Sequence, residues 1–427
     1  MRSAAFLLLL SSLCFAQAPA PKKTTKPAPV GWKAIHDSAI VVDTHADTPQ
    51  YLVDEKLDLA GDSHASVTIP KARAGNLGAE FFSIWVEPEK NKGAYPKRTL
   101  QLIDAVDEQV RLHPKDLMKA TSVKDIYTAH REHKLAVLMG IEGGHSIDDD
   151  LGLLRDYYRL GVRYMTLTWS NTNNWADSSG DVDDKKIEHH DGLTDFGRDV
   201  VREMNRIGMM VDISHVSDRT FYKTLIVARA PVIASHSSSR ALTNVPRNMT
   251  DDMLRALTRN GGVAMVNFNC GFVSDQYNVD EKKVEAEDHS VEDMKKKLME
   301  PGSKITTSDV EKAEIVRAAK VPRPPLSALI DHIDHMVKIA GIDHVGLGSD
   351  FDGVSCTPQG IDSAADLPKI TLALYDRGYN AEQIKKVLGL NLLRVFSEVE
   401  KTAAQMQAEA PTDTRREVRI DTTPSQH

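Results

Sequence analysis

At 427 residues the chain is long enough for one large domain or two to three ordinary ones, and its 41% hydrophobic and 27% charged content is that of a water-soluble globular protein rather than a membrane or disordered one. The formal net charge of −8 argues against a nucleic acid or an anionic membrane surface as the main partner.

Taken in chain order, the first segment reads as a targeting signal. Arg2 supplies a positive start, residues 4–13 an apolar run, and Ala16-Gln17-Ala18 a small-x-small cleavage site. The run falls short of the roughly 20 residues that cross a bilayer. Leu13 ahead of Cys14 is too bulky for a lipoprotein signal. The expectation is a signal peptide over 1–18 and export to a periplasm or the cell exterior. Residues 19–31, rich in Pro, Lys and Thr, read as a flexible linker.

Short, continuously apolar runs then alternate with amphipathic stretches. The runs are 40–43, 79–86, 136–141, 164–168, 209–213, 232–235, 263–268 and 344–348, each in keeping with a parallel strand buried on both faces. Helical patterns cover 97–112, 151–160, 196–207, 249–259 and 326–339, with Thr194 and Thr250 as start signals for two of them. Eight strand–helix alternations predict an α/β chain folded as a (β/α)8 TIM barrel over 32–400, although periodicity alone leaves a doubly wound sheet close behind. Residues 275–325, rich in Lys and Glu, read as an exposed, solvated helical insertion after the seventh predicted strand. Cys270 and Cys356 are expected as small buried residues, since a chain of this size needs no covalent staple. Residues 401–427 are polar and read as a disordered tail without a lipid-anchor signal.

Metal-ligand residue types fall where the predicted strands end. His45 and Asp47 follow the first, and side chains two apart on a strand point the same way. Glu142 ends the third, His215 the fifth, His236 the sixth and Asp350 the eighth. A lone His at a strand end is more often a hydrogen-bonded core residue, and an isolated HxD pair carries little weight. Five strand ends that agree carry far more, because a barrel brings all of them to one face. That convergence decides for the barrel over the doubly wound sheet. His, Asp and Glu without Cys suit a catalytic zinc pair, with Glu142 best placed to bridge the two cations.

DTHADTP, KARAGNLGAEFFSIWV, IEGGHSI, GVRYMTLTW, TNNWADSS, GLTDFGRDVVREMNRIGMMVDISHVS, PVIASHSSSRAL, PRNMTDDML, GLGSDFDG and NLLRVF together resemble the membrane (renal) dipeptidases, binuclear zinc enzymes of the amidohydrolase superfamily. The resemblance implies one Zn2+ on His45, Asp47 and Glu142 and a second on Glu142, His215 and His236. It further implies that a metal-bridging hydroxide attacks the peptide bond of a dipeptide, including dipeptides with a C-terminal D-residue. Asp350 would handle the proton, and Arg247 would bind the substrate carboxylate. Relatives are often dimers, so a homodimer is implied as well. Trp169 departs from the family, which usually has His there to bind the substrate carbonyl oxygen. Trp can donate a hydrogen bond but cannot carry charge; its place is expected in the substrate pocket. Rival readings are a lactonase or N-acyl-amino-acid hydrolase, and a non-catalytic binding protein on the same barrel. His189, His190, His332 and His335 are not expected among the ligands, and neither His145 nor Phe272 receives a direct role.

Overall fold

The protein is described here by a computed structural model covering residues 31–61 and 63–409. The expected signal peptide, nearly all of the expected linker and residues 410–427 lie outside the described residues. Among the described residues nine strands occur, in the order β1 (Val41–Ala46), β2 (Leu77–Trp85), β3 (Leu117–Lys119), β4 (Leu135–Glu142), β5 (Val162–Thr166), β6 (Met210–Asp212), β7 (Ile233–Ala234), β8 (Val263–Val266) and β9 (Val345–Leu347). All pair in parallel, in the order β1-β2-β4-β5-β6-β7-β8-β9, and helices separate most of them. The architecture is a nearly closed (β/α)8 barrel, as the alternation of apolar and amphipathic runs predicts.

The seam between β9 and β1 is closed by backbone and side-chain hydrogen bonds just past the strand ends. Asp350 N donates to His45 O at 3.0 Å and Asp47 N to Phe351 O at 2.8 Å. Ser349 N donates to Asp43 Oδ1 at 2.7 Å. The segment carrying His45 and Asp47 is thereby locked to the segment carrying Asp350.

The additional strand, β3, pairs with the N-terminal half of β4, from Leu117 opposite Leu135 to Lys119 opposite Val137. β5 begins on β4 only at Met139, so one edge of β4 serves two partners in succession. Three residues are too short a run for a strand pattern to be legible in sequence.

Side-chain alternation sorts β4 cleanly. Leu135, Val137, Met139 and Ile141 pack outward among the helices, whereas Ala136 and Leu138 share the barrel interior with Phe81 and Tyr164. Glu142 has the inward parity, so the strand delivers its carboxylate to the barrel mouth. Gly140, on the same face, leaves room for the Tyr164 ring: a Cβ there would lie 1.9 Å from Tyr164 Cζ. The lower end of the barrel is plugged by Phe396, whose ring centroid lies 6.5 Å from that of Phe81. Phe396 belongs to the helix Asn391–Glu409, which runs well past residue 401. The expected polar tail is therefore helical at its start, because Val399 and Ala403 are buried on one helix face.

Both expected start signals cap helices. Thr194 accepts from Gly197 N ahead of Asp195–Ile207, and Thr250 accepts from Met253 N ahead of Asp251–Asn260. Residues after β8 form the helices Asp275–Glu287, Ser290–Met299 and Thr307–Ala318. Most of their charged residues are exposed, as expected, but the segment also has a buried face. Val291, Leu298 and Val310 are buried against one another, and the assembly lies over the barrel mouth.

Cys270 and Cys356 are buried, as expected, but the expectation that the chain goes without a covalent staple is corrected. Cys270 and Cys356 form a disulfide with Cα atoms 5.4 Å apart, closing a separation of 86 residues. The bond ties the start of the inserted segment to the loop after β9. Closing a loop that long removes about 4 kcal/mol of chain entropy from the unfolded state. A Cys270→Ala/Cys356→Ala protein is expected to lose about 2–4 kcal/mol in urea unfolding while keeping its far-ultraviolet circular dichroism. Unfolding midpoints identical to those of the parent would show that the bond does not form in solution.

Candidate active site at the barrel mouth

Six of the residues singled out by strand-end position meet in one cluster. His45 Nε2 lies 3.2 Å from Glu142 Oε2, 3.4 Å from Asp47 Oδ2 and 3.9 Å from Asp350 Oδ1. On the other side, His215 Nε2 lies 2.8 Å and His236 Nε2 3.5 Å from Glu142 Oε1. The two oxygens of Glu142 thus face two different donor groups, His45 with Asp47 and His215 with His236. Each of these groups, taken with Glu142, has its ligand atoms within 4.8 Å of one another, as does the set His45, His236 and Asp350.

The surrounding hydrogen bonds assign the imidazole tautomers. Tyr164 Oη donates to Thr44 O, so its 2.7 Å contact with His45 Nδ1 is one in which the ring N–H donates. Ser235 Oγ donates to Asp212 Oδ2, so it accepts from His236 Nδ1 at 2.7 Å. In their neutral forms both histidines therefore turn an unprotonated Nε2 toward the cluster. His45 Nε2 is sealed from solvent and has no hydrogen-bond donor facing it. His236 Nε2 lies only 3.0 Å from His215 Nε2. A buried acceptor such as His45 Nε2, with no donor to meet it, is unfavourable. A cation relieves this, and three His with three carboxylates and no Cys fit borderline divalent ions such as Zn2+.

A proton competes with a cation for the place on His45 Nε2. Burial works against a charge on His45, but Tyr164, Glu142 and Asp47 overcome it and raise the pKa of the imidazole well above the usual range. Burial holds His215 and His236 well below that range, so they stay neutral acceptors. Burial pushes Glu142 up to about 7, against His45 and with the help of Asp47. Asp350 is likewise raised by burial, opposed by His45, and its Oδ2 accepts from Asn267 Nδ2 at 2.7 Å.

The backbone is bent to reach this arrangement. His215 and Asp350 each have φ of +63°, in the left-handed region that ordinary residues seldom occupy. Gly353 completes the turn after Asp350, and a Cβ there would lie 2.1 Å from Asp47 Oδ2.

Arg247 and Trp169 border the cluster. Arg247 is anchored by Nη1 on Ser237 Oγ at 2.8 Å and Nη2 on His236 O at 3.0 Å, while its Nε lacks a partner. Burial pushes its pKa down to about 10, with Asp350 and Glu142 supporting the charge. Phe272 lies under the guanidinium, 5.5 Å away. Trp169 lines a cavity of about 740 Å³ together with Asp47, Glu142, His215 and Asp350. Its ring centroid is 4.8 Å from that of Trp85 and 6.4 Å from that of His215.

Several supporting residues are not legible as such in the sequence. Tyr164, Asp212 and Asn267 orient ligands from neighbouring strands, and only the Asp212–x–x–His215 spacing hints at any of them. His332 is buried and accepts from Ser239 N at 3.1 Å, bracing the loop that carries His236 and Arg247. His145 Nε2 meets Val86 O at 2.8 Å, which ties the turn after Glu142 to the end of β2. His189 and His190 lie outside the cluster, His190 with Nε2 at 2.9 Å from Asn173 O.

Residues 31–410 match the family described as membrane dipeptidase, peptidase family M19. The chain belongs to the membrane dipeptidase family. It is by that membership a metallopeptidase that acts on peptide bonds. A Schizosaccharomyces pombe protein named "Uncharacterized dipeptidase" is 36% identical over 88% of this chain and 84% of its own. Human "Dipeptidase 3" is 33% identical over 89% of this chain and 69% of its own. Among solved structures, one described as the probable dipeptidase PvdM from Pseudomonas aeruginosa superposes with a TM-score of 0.75 at 25% identity, over 87% of this chain and 98% of that one. The family shares the barrel, so the ligand cluster lies where such barrels place their chemistry.

Tyr164→Phe removes the hydroxyl that sets the His45 tautomer and fills the same space. It is expected to weaken zinc binding about 10–100-fold in chelator competition; unchanged affinity would show that His45 needs no such partner. A carboxyl raised to about 7 holds its proton below that pH, and a cation must displace it. Zinc affinity should therefore fall as pH drops from 8 to 6, by about tenfold per unit for each proton displaced. Glu142→Gln should flatten that dependence.

Proposed function

We propose that the chain is an exported, zinc-dependent dipeptidase that hydrolyses the single peptide bond of dipeptides, including those with a C-terminal D-residue. The observation that carries this reading is the division of Glu142, one oxygen toward His45 and Asp47 and the other toward His215 and His236. A carboxylate shared in that way suits two divalent cations held side by side. His45, Asp47 and Glu142 would hold one Zn2+, and Glu142, His215 and His236 the other. A zinc pair bound there supplies Lewis acidity toward the scissile carbonyl and an activated water near neutral pH.

The chain's own residues supply the rest. Asp350 borders both donor groups, and burial raises its carboxyl, which suits it to accept a proton from the attacking water and return it to the leaving amine. Arg247, rigidly anchored beside His236, offers a guanidinium to the substrate's C-terminal carboxylate and so fixes the peptide in register. Trp169 walls the pocket and offers at most a neutral N–H to the carbonyl oxygen. The Cys270–Cys356 disulfide supports an oxidising destination, because such bonds are rare in the cytosol. Among the described residues no helix is long and apolar enough to cross a membrane.

The test is turnover of L,L- and L,D-dipeptides by the zinc-loaded protein, with Glu142→Ala and chelator-treated controls inactive. No turnover of any dipeptide would sink the reading, and turnover confined to lactones or N-acyl amino acids would replace it. Arg247→Ala should raise KM about 10–100-fold for dipeptides and much less for their C-terminal amides. Trp169→His should raise kcat, by up to about 10²-fold, if a charged donor at the carbonyl oxygen is what the pocket lacks; an unchanged kcat would show that Trp169 only shapes the pocket.

A further inference from the structure

The outer wall of the active-site cavity comes from the inserted helices Ser290–Met299 and Thr307–Ala318, which contribute Leu298, Met299, Val310, Glu311 and Glu314. Helix Thr307–Ala318 is held in place on the barrel. Ser308 Oγ donates to Glu55 Oε1, and Lys312 Nζ lies 2.9 Å from the same oxygen. The wall is therefore braced against the helix Pro49–Asp54 that follows Asp47.

Most acids of this wall have cations. Glu314 pairs with Lys295 at 2.8 Å, Glu55 with Lys312, and Glu285 and Glu292 both with Arg317. Glu311 has none among the described residues. Its Oε2 is sealed from solvent and accepts no hydrogen bond, although the side chain borders the cavity. Burial first, then Asp47, Asp352, Glu314 and Asp54, raise its pKa well above the usual carboxylate range. A buried acceptor in a field of other acids is unfavourable unless a positive group arrives to meet it.

A dipeptide brings such a group. Its carboxylate is accounted for by Arg247, and its amide by the metal-ligand cluster with Asp350. Its α-ammonium has no partner among the residues placed so far. We propose that Glu311 receives the α-ammonium of the substrate, so that the insertion makes a free N-terminus a condition of binding. The inference rests on the dipeptidase reading for the identity of the ligand. It assigns to the insertion the measurement of one residue on the N-terminal side of the scissile bond, as Arg247 measures one on the C-terminal side. N-acylated dipeptides and longer peptides entering from the N-terminal side would lose this contact.

The experiment is binding rather than turnover. Trp85 and Trp169 border the cavity, so their fluorescence reports its occupancy. The zinc-loaded protein is titrated with a phosphinate analogue of Ala-Ala and with the same analogue lacking its amino group. The parent protein should bind the amino form about 10–100-fold more tightly. Glu311→Gln should bring the two affinities to within about threefold of each other, the remainder of a neutral hydrogen bond. Glu311→Asp, which keeps the charge but withdraws it, should fall between, and Glu314→Gln should leave the preference intact. Thermal unfolding of each variant checks the fold, and Glu311→Gln should be no less stable than the parent because it removes an unpaired buried acid. An undiminished preference in Glu311→Gln, or no preference in the parent, would overturn the inference. A preference that depends on Glu311 in a protein that turns over no dipeptide would uphold the inference and sink the proposed reaction instead.

Discussion

Two imidazole nitrogens 3.0 Å apart, that of His236 left without a proton by the hydrogen bond behind it, set the terms for the barrel mouth. They share a few ångströms with His45 Nε2, which has no donor at all, and with the oxygens of Glu142, Asp47 and Asp350. Such a collection of acceptors repels itself. It persists because each member is held from behind: His45 by Tyr164, His236 by Ser235 and Asp212, Asp350 by Asn267. The arrangement makes physical sense as a receptacle for positive charge, prepared in advance so that little reorganisation accompanies binding.

Holding it requires the barrel to be tight at its seam. β1 and β9 form no continuous ladder, yet the backbone bonds from Asp350 to His45 and from Asp47 to Phe351 place three carboxylate- or imidazole-bearing residues within one stitched segment. The left-handed backbone at His215 and Asp350 belongs to the same requirement. A strand that simply continued would carry these side chains past the mouth, whereas a sharp bend three residues beyond its end turns them inward. Strain of this kind is tolerated where packing over-determines the conformation, and both residues are surrounded by buried neighbours.

The inserted helices and the disulfide supply the remaining side of the cavity. A barrel mouth alone is open to peptides of any length. Here a wall stands over it, fastened by Lys312 and Ser308 to Glu55 and by Cys270 to Cys356 at its base. The result is a cavity with an unpaired carboxyl on its wall, next to a cluster that the Arg247 guanidinium borders. Its apolar lining comes from Trp85, Trp169, Phe272, Leu298 and Met299. A guanidinium and an acid that ionises against a positive group, set at two places in a confined space, would select a ligand by its length as much as by its side chains.

Much of this is legible in the sequence, and for a specific reason. A parallel barrel buries its strands on both faces, so they appear as short apolar runs, and polar residues at their ends stand out; His45, Asp47, Glu142, His215, His236 and Asp350 were found that way. Family motifs added Arg247 and the departure at Trp169. What pairs across space was not legible. The insertion looked like a solvated surface because Lys and Glu dominate its composition, while the buried face made by Val291, Leu298 and Val310 is too sparse to show as a period. Cys270 and Cys356 looked inert because sequence separation says nothing about the 5.4 Å between their Cα atoms. The tautomers of His45 and His236 depend on Tyr164 and Asp212, which come from other strands. Sequence alone determined the fold class and the kinds of ligand, since both follow from local pattern. Only the tertiary structure decided which oxygen of Glu142 faces which histidines, and that Glu311 stands over them unpaired, since both depend on distances between elements far apart in the chain.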